Sequence, residues 1–142
     1  LLSTLHLLAT AIWTGGIFFA YLALRPASML LEPPMRLALW ARTFERYFPW
    51  VWGFVLTLLF TGPARIQAGA LELLAMTAIG WLMCGLFAYL YFSPYQALRQ
   101  AVVRGDTPAA AAAMARIRPV MATNLSLGLI VSALGLFSAG GA

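Results

Sequence analysis

Among the side chains whose donors suit a soft metal ion, four stand out: the imidazole of His6, the thioethers of Met76 and Met83, and the thiol of Cys84. Histidine, thioether and thiolate together favour Cu(I) over harder ions. His6 is the single histidine and lies about five residues into an apolar stretch, where an imidazole facing lipid is unfavourable and so needs a partner. If the first and third apolar segments both begin at the outer surface, His6 and Met76 share a depth of about 8 to 10 Å at the 1.5 Å rise of a helix. That makes Met76 the leading partner within the chain. Met83 and Cys84 fall one to two turns deeper, with Met76 and Met83 seven residues apart on one helical face. The four residues are therefore read either as one metal site or as two steps on a path. The competing reading of each methionine is packing, since methionine is a flexible filler of apolar interiors.

Other residues bear on the same region. Trp13-Thr14-Gly15-Gly16 places small residues where a helix or a flat cofactor can approach. Thr77, Gly80, Cys84 and Ala88 form a small stripe on the third apolar segment, and Asn124, Gly128 and Ser132 one on the fourth. Such stripes serve helix packing, with Asn124 set apart because a buried amide requires partners. No nucleophile with a base, phosphate loop, carboxylate pair or histidine cluster occurs, and Glu32, Glu45, Glu72 and Asp106 fall in connections or at helix ends. A conventional hydrolase or transferase is not expected, and no catalytic residue is assigned.

What positions these residues is decided by composition. Of 142 residues 63% are hydrophobic and 9% charged, with a mean hydropathy of +0.87, whereas a soluble domain is about a quarter charged. The solvent must be a bilayer. At roughly 20 apolar residues per crossing the length accommodates about four crossings, so the expected fold is an all-α, four-transmembrane-helix bundle forming a single domain over 1–142. The spans are placed at about 1–24, 49–63, 69–92 and 119–139. The first does not read as a signal peptide: it lacks a basic start and ends in Arg25-Pro26 rather than a small-residue cleavage site.

Between the first two spans, Leu37, Trp40, Phe44 and Phe48 recur at spacings of three and four while Arg42, Glu45 and Arg46 fall opposite. This predicts an interfacial amphipathic helix over 35–48, lying on the membrane surface, with Pro49 in the first turn of the next span. Pro94 is expected to kink the third helix without necessarily ending it, and Gly105 to stop it. Thr107 then caps an alanine-rich helix led by Pro108, giving a helical hairpin over 95–118 that projects past the bilayer.

All nine basic residues are arginines. Arg25, Arg36, Arg42 and Arg46 lie between the first two spans, Arg99, Arg104, Arg116 and Arg118 between the last two, and Arg65 alone on the other side. This asymmetry places both arginine-rich connections, the hairpin included, in the cytoplasm and both ends of the chain away from it. Anchoring to anionic headgroups explains the arginines, and no nucleic-acid partner is expected. Shifting the chain by 68 residues lays Trp13, Phe19, Ala20, Tyr21, Leu22 and Pro26 on Trp81, Phe87, Ala88, Tyr89, Leu90 and Pro94, as two repeated helical hairpins would. The lone Cys84 rules out an intramolecular disulfide.

His6-Leu7-Leu8-Ala9, Ile12-Trp13-Thr14-Gly15-Gly16, Arg25-Pro26, Pro94-Tyr95 and Asn124-Leu125-Ser126-Leu127-Gly128-Leu129 resemble the membrane domain of the bacterial copper resistance protein D family. The resemblance implies a bacterial inner-membrane protein concerned with copper movement, with His6 matching the family's first-helix histidine. The family commonly carries further core histidines; here Ile17 follows the glycine pair and Ala88 and Tyr89 stand at the end of the third helix. A more distant likeness to four-helix haem-biosynthesis membrane oxidases would make His6 a ligand of b-type haem, with Met76 or another subunit supplying the second axial ligand. Three functions are thus set against one another: copper handling, haem-linked electron transfer, and a non-catalytic accessory role in a larger membrane complex. Beyond the lipid bilayer, the partners expected are such a complex or a second copy of the chain.

Overall fold

The computed structural model describes residues 1–63 and 71–140, and among these there is no β-strand. Five helices follow in order: α1 (Leu2–Ser28), α2 (Pro33–Thr61), α3 (Leu71–Phe92), α4 (Pro94–Arg104) and α5 (Thr107–Gly140). The stretches Leu2–Ser28, Leu71–Arg104 and Thr107–Phe137 are long and apolar enough to cross a membrane. The protein is an all-α protein compatible with a multi-pass place in a bilayer. The start of the third span at Gly69, and Arg65, lie outside the described residues.

Proline shapes three of these helices. Pro26 has no N–H and its ring crowds the carbonyl one turn back. The helix responds over Ala20–Leu24 by widening into a π-turn, in which the Arg25 N–H reaches the Ala20 carbonyl. The Arg25 guanidinium lies over the Tyr21 ring, 5.1 Å from its centroid. Pro94 opens α4 after a break at Ser93, whose backbone (φ −116°, ψ −85°) leaves the helical region. Gln96 donates back across this break to the Tyr91 carbonyl (3.2 Å). From α5, Arg116 donates to the Ser93 hydroxyl (2.8 Å) and the Tyr89 hydroxyl (3.3 Å).

Pro49 does not begin a helix. It lies inside α2, which runs unbroken through 29 residues. Phe48 and Val51 are buried on either side of it, and this packing carries the helix past the missing hydrogen bond. The amphipathic segment 35–48 is accordingly the first half of α2 rather than a separate helix on the membrane surface. Its stripe of Leu37, Trp40, Phe44 and Phe48 is buried in one core with Tyr95, Leu98 and Ala101 of α4 and Ala110, Ala113, Met114 and Ile117 of α5. Phe44 stacks on Phe48 with ring centroids 4.7 Å apart, and Tyr95 meets Phe48 edge-on at 4.8 Å. Periodicity is the same whether an apolar stripe meets lipid or protein, and here it meets protein.

The helical hairpin is formed by α4 and the start of α5. Gly105 ends α4 in the left-handed conformation (φ 69°). The cap of α5 is Asp106, not Thr107: the Asp106 carboxylate accepts from the Ala109 N–H at 3.1 Å, the usual reach of an N-cap side chain.

The remaining contacts set directions. Thr61 of α2 meets His6 and Tyr47 meets Trp13, so α2 runs antiparallel to α1. Trp13 meets Phe87 edge-on at 6.2 Å, placing α3 beside α1. Gly128 of α5 lies against both Thr14 and Met83. Burial does not follow the 68-residue register: Trp13 is buried and Trp81 exposed, while Phe19 is exposed and Phe87 buried.

Candidate functional site

The residues singled out for chemistry fall at two levels. At the first, His6 Nδ1 and Thr61 Oγ1 are 2.8 Å apart, and the imidazole lies beside Gly62. The Thr61 hydroxyl has one hydrogen, which it gives to the Thr57 carbonyl at 2.6 Å. Toward His6 the hydroxyl is therefore an acceptor. Nδ1 is then the donor in this contact. Metal-binding histidines are commonly held in this way, one nitrogen donating to a neighbour so that the other is turned to the ion with a fixed tautomer. Sequence reasoning gave His6 the partner Met76; hydrogen bonding shows Thr61, 55 positions away on α2, as a partner.

The second level lies about 12 Å farther along α1, since Thr14 is eight residues beyond His6. Here α1, α3 and α5 are in close contact. A methyl group on Gly128 would come within 2.7 Å of Thr14 Oγ1 and 3.4 Å of Met83 Cε, so only a glycine admits this approach. Met83 (4% exposed) and Cys84 (8%) are both turned into the interior, and Cys84 is a free thiol. Asn124 donates through Nδ2 to the Met83 carbonyl at 3.3 Å, tying α5 to α3 beside the thioether. The second level thus gathers Met83, Cys84, Thr14 and Asn124, while His6 belongs to the first. Met76, seven residues before Met83, lies about 10 Å away along α3 in the direction of the first level and is half-buried.

The small-residue motif Gly15-Gly16 divides. Gly16 is pressed against the Tyr47 side chain, whose hydroxyl donates to the Trp13 carbonyl at 3.0 Å, whereas Gly15 has open space around it. Gly16 therefore serves the approach of α2 rather than of a flat cofactor. Beside this contact lies a cavity of ≈ 40 Å³ lined by Trp13, Thr43, Tyr47, Phe87, Met121 and Asn124 among others. Pockets for drug-sized ligands run to roughly 300–1,000 Å³, so a porphyrin does not fit there. Sequence reasoning missed Tyr47, Thr61 and Met121. Tyr47 was hidden beside the charged residues of α2, and Thr61 read only as a helix end.

Among the described residues, no three or more His, Cys, Asp or Glu side chains are grouped so that they could hold a metal ion. Any metal held at these levels would rest on thioether, single thiol or single imidazole donors. No protein-family model, curated protein or solved structure matches the chain.

Proposed function

We propose that this chain handles copper in a bacterial inner membrane, passing Cu(I) between soft donors at two depths. In this reading His6 and Met76 make the outer step, and Met83 with Cys84 the inner one. The observation that carries it is the way His6 is held: Thr61 accepts from Nδ1 at 2.8 Å, the kind of contact that orients a ligating imidazole. The burial of Met83 and Cys84 supports the inner step, because a thioether and a thiol turned away from lipid can exchange an ion without exposing it to hydrocarbon. A haem-linked role has less support, as neither the cavity nor Gly16 accommodates a flat macrocycle.

The same reading takes four crossings, with the second half of α2, residues 49–61, completing those of α1, α3 and α5. The first half of α2 and the α4–α5 hairpin then form a headpiece on the cytoplasmic side, where eight of the nine arginines gather, and the chain ends face the periplasm.

Cu(I) titrated into the purified full chain against a competing chelator tests the function. We expect defined stoichiometry that falls in His6→Ala and binding that weakens tenfold or more in Met83→Leu and in Cys84→Ser. Unchanged stoichiometry and affinity in all three variants would remove the proposal.

One observation favours an accessory role instead. Trp81 sits ten residues into α3, near the middle of the apolar stretch, and is 57% exposed. Tryptophan prefers the membrane–water interface, so an exposed indole at mid-depth suits contact with another membrane subunit. Co-purification with a larger complex in mild detergent, lost in Trp81→Leu, would favour that role.

A further inference from the structure

Three of the hydrogen-bonding side chains that line the cavity between α1, α2, α3 and α5 belong to no step of the copper path. Tyr47 donates its hydroxyl hydrogen to the Trp13 carbonyl (3.0 Å), Thr43 donates to the Leu39 carbonyl (2.8 Å), and Asn124 donates through Nδ2 to the Met83 carbonyl (3.3 Å). Each of these three side chains retains acceptor capacity, and the Asn124 amide also keeps a second N–H. Asn124 is 3% exposed, and its Oδ1 has no hydrogen-bond partner among the described residues. The donation to Met83 fixes which end of the amide is oxygen, so a rotation of the amide would not relieve it. A buried carbonyl oxygen with no partner is costly, more so in a membrane, where no bulk water reaches it.

The geometry points to a binding site, built around Asn124 Oδ1, for one small neutral hydrogen-bond donor, namely an ordered water molecule. The volume is right: the cavity measures ≈ 40 Å³, against the 10–15 Å³ or so that one water needs. The chemistry is also right, because water brings the donor that the Asn124 oxygen lacks. A cation of the same size is disfavoured, since no carboxylate lines the cavity to balance its charge. Bound there, the water gives the Asn124 oxygen its partner and lies among side chains of α1, α2, α3 and α5.

Crystals of the full chain in a lipidic phase, with and without xenon pressurisation, test this for the wild type and for Asn124→Ala. In the wild type we expect ordered density about 3 Å from Asn124 Oδ1 and no xenon in the cavity. In Asn124→Ala the cavity loses its unpartnered acceptor and takes up xenon, as dry cavities do. A wild-type cavity that binds xenon, or that shows no ordered density near Asn124 Oδ1, overturns the inference. The wild-type crystals decide this even if the variant does not fold.

Discussion

Leu98→Ala is expected to lower stability by about 2–5 kcal/mol, the range for removing a leucine side chain from a packed interior. Leu98 is 0% exposed, as is Ile117 across the hairpin, and the same core holds Leu37, Trp40 and Phe44 of α2. The loss follows from the helices being packed on one another rather than on lipid. If the first half of α2 lay on the membrane surface instead, Leu98 would lose part of its surroundings and the substitution would be mild. Thermal unfolding of the full chain in detergent measures the effect. The double variant Trp40→Ala with Leu98→Ala sharpens it: residues sharing a core lose less together than the sum of their separate losses, whereas independent sites add. Strict additivity would mean that α2 and α4 do not share this core.

Gly16→Ala is the second large effect, a loss of about 1–3 kcal/mol from overpacking. The new methyl group would overlap the Tyr47 hydroxyl and approach the ring edge, with Cε2 at 3.0 Å. Tyr47 has to withdraw, and its hydrogen bond to the Trp13 carbonyl goes with it. Gly15→Ala is the control, because nothing lies within 4 Å of a methyl group there. A neighbouring pair of glycines should thus respond oppositely, with Gly15→Ala neutral or slightly stabilising through its better helix propensity. Tyr47→Phe, which removes the overlapping oxygen, should recover part of the Gly16→Ala loss. Equal effects at the two glycines would contradict the described approach of α2 to α1.

Much of this fold could be read from local signals. The apolar stretches of α1, α3 and α5, the break before Pro94 and the stop at Gly105 each follow from a residue acting on its own surroundings. Asn124 was recognisable as an amide in need of partners, and one of them is the Met83 carbonyl. The course of α2 was not legible. Proline at position 49 signals a helix start when read locally, and only the burial of Phe48 and Val51 on either side keeps the helix intact. The use of Asp106 as the cap in place of Thr107 shows the same limit at smaller scale, since either residue type serves and the backbone chooses.

The site was legible in kind but not in arrangement. His6, Met83 and Cys84 stand out by residue type in an apolar sequence, yet their distribution over two levels depends on how the helices pair. Thr61 could not be singled out as the partner of His6, because threonines in apolar helices ordinarily bond to their own backbone. Thr57 and Thr77 do so here, and Thr61 does too. Its second role arises only where α2 returns beside the start of α1.

The most direct test of the copper reading is the metal content and absorption spectrum of the protein extracted gently from its native membrane, with co-purifying chains identified in the same sample. Stoichiometric copper and no Soret band are predicted. A colourless, metal-free chain held in a larger complex would contradict the account and make His6 a packing residue, hydrogen-bonded to Thr61 to join α1 and α2.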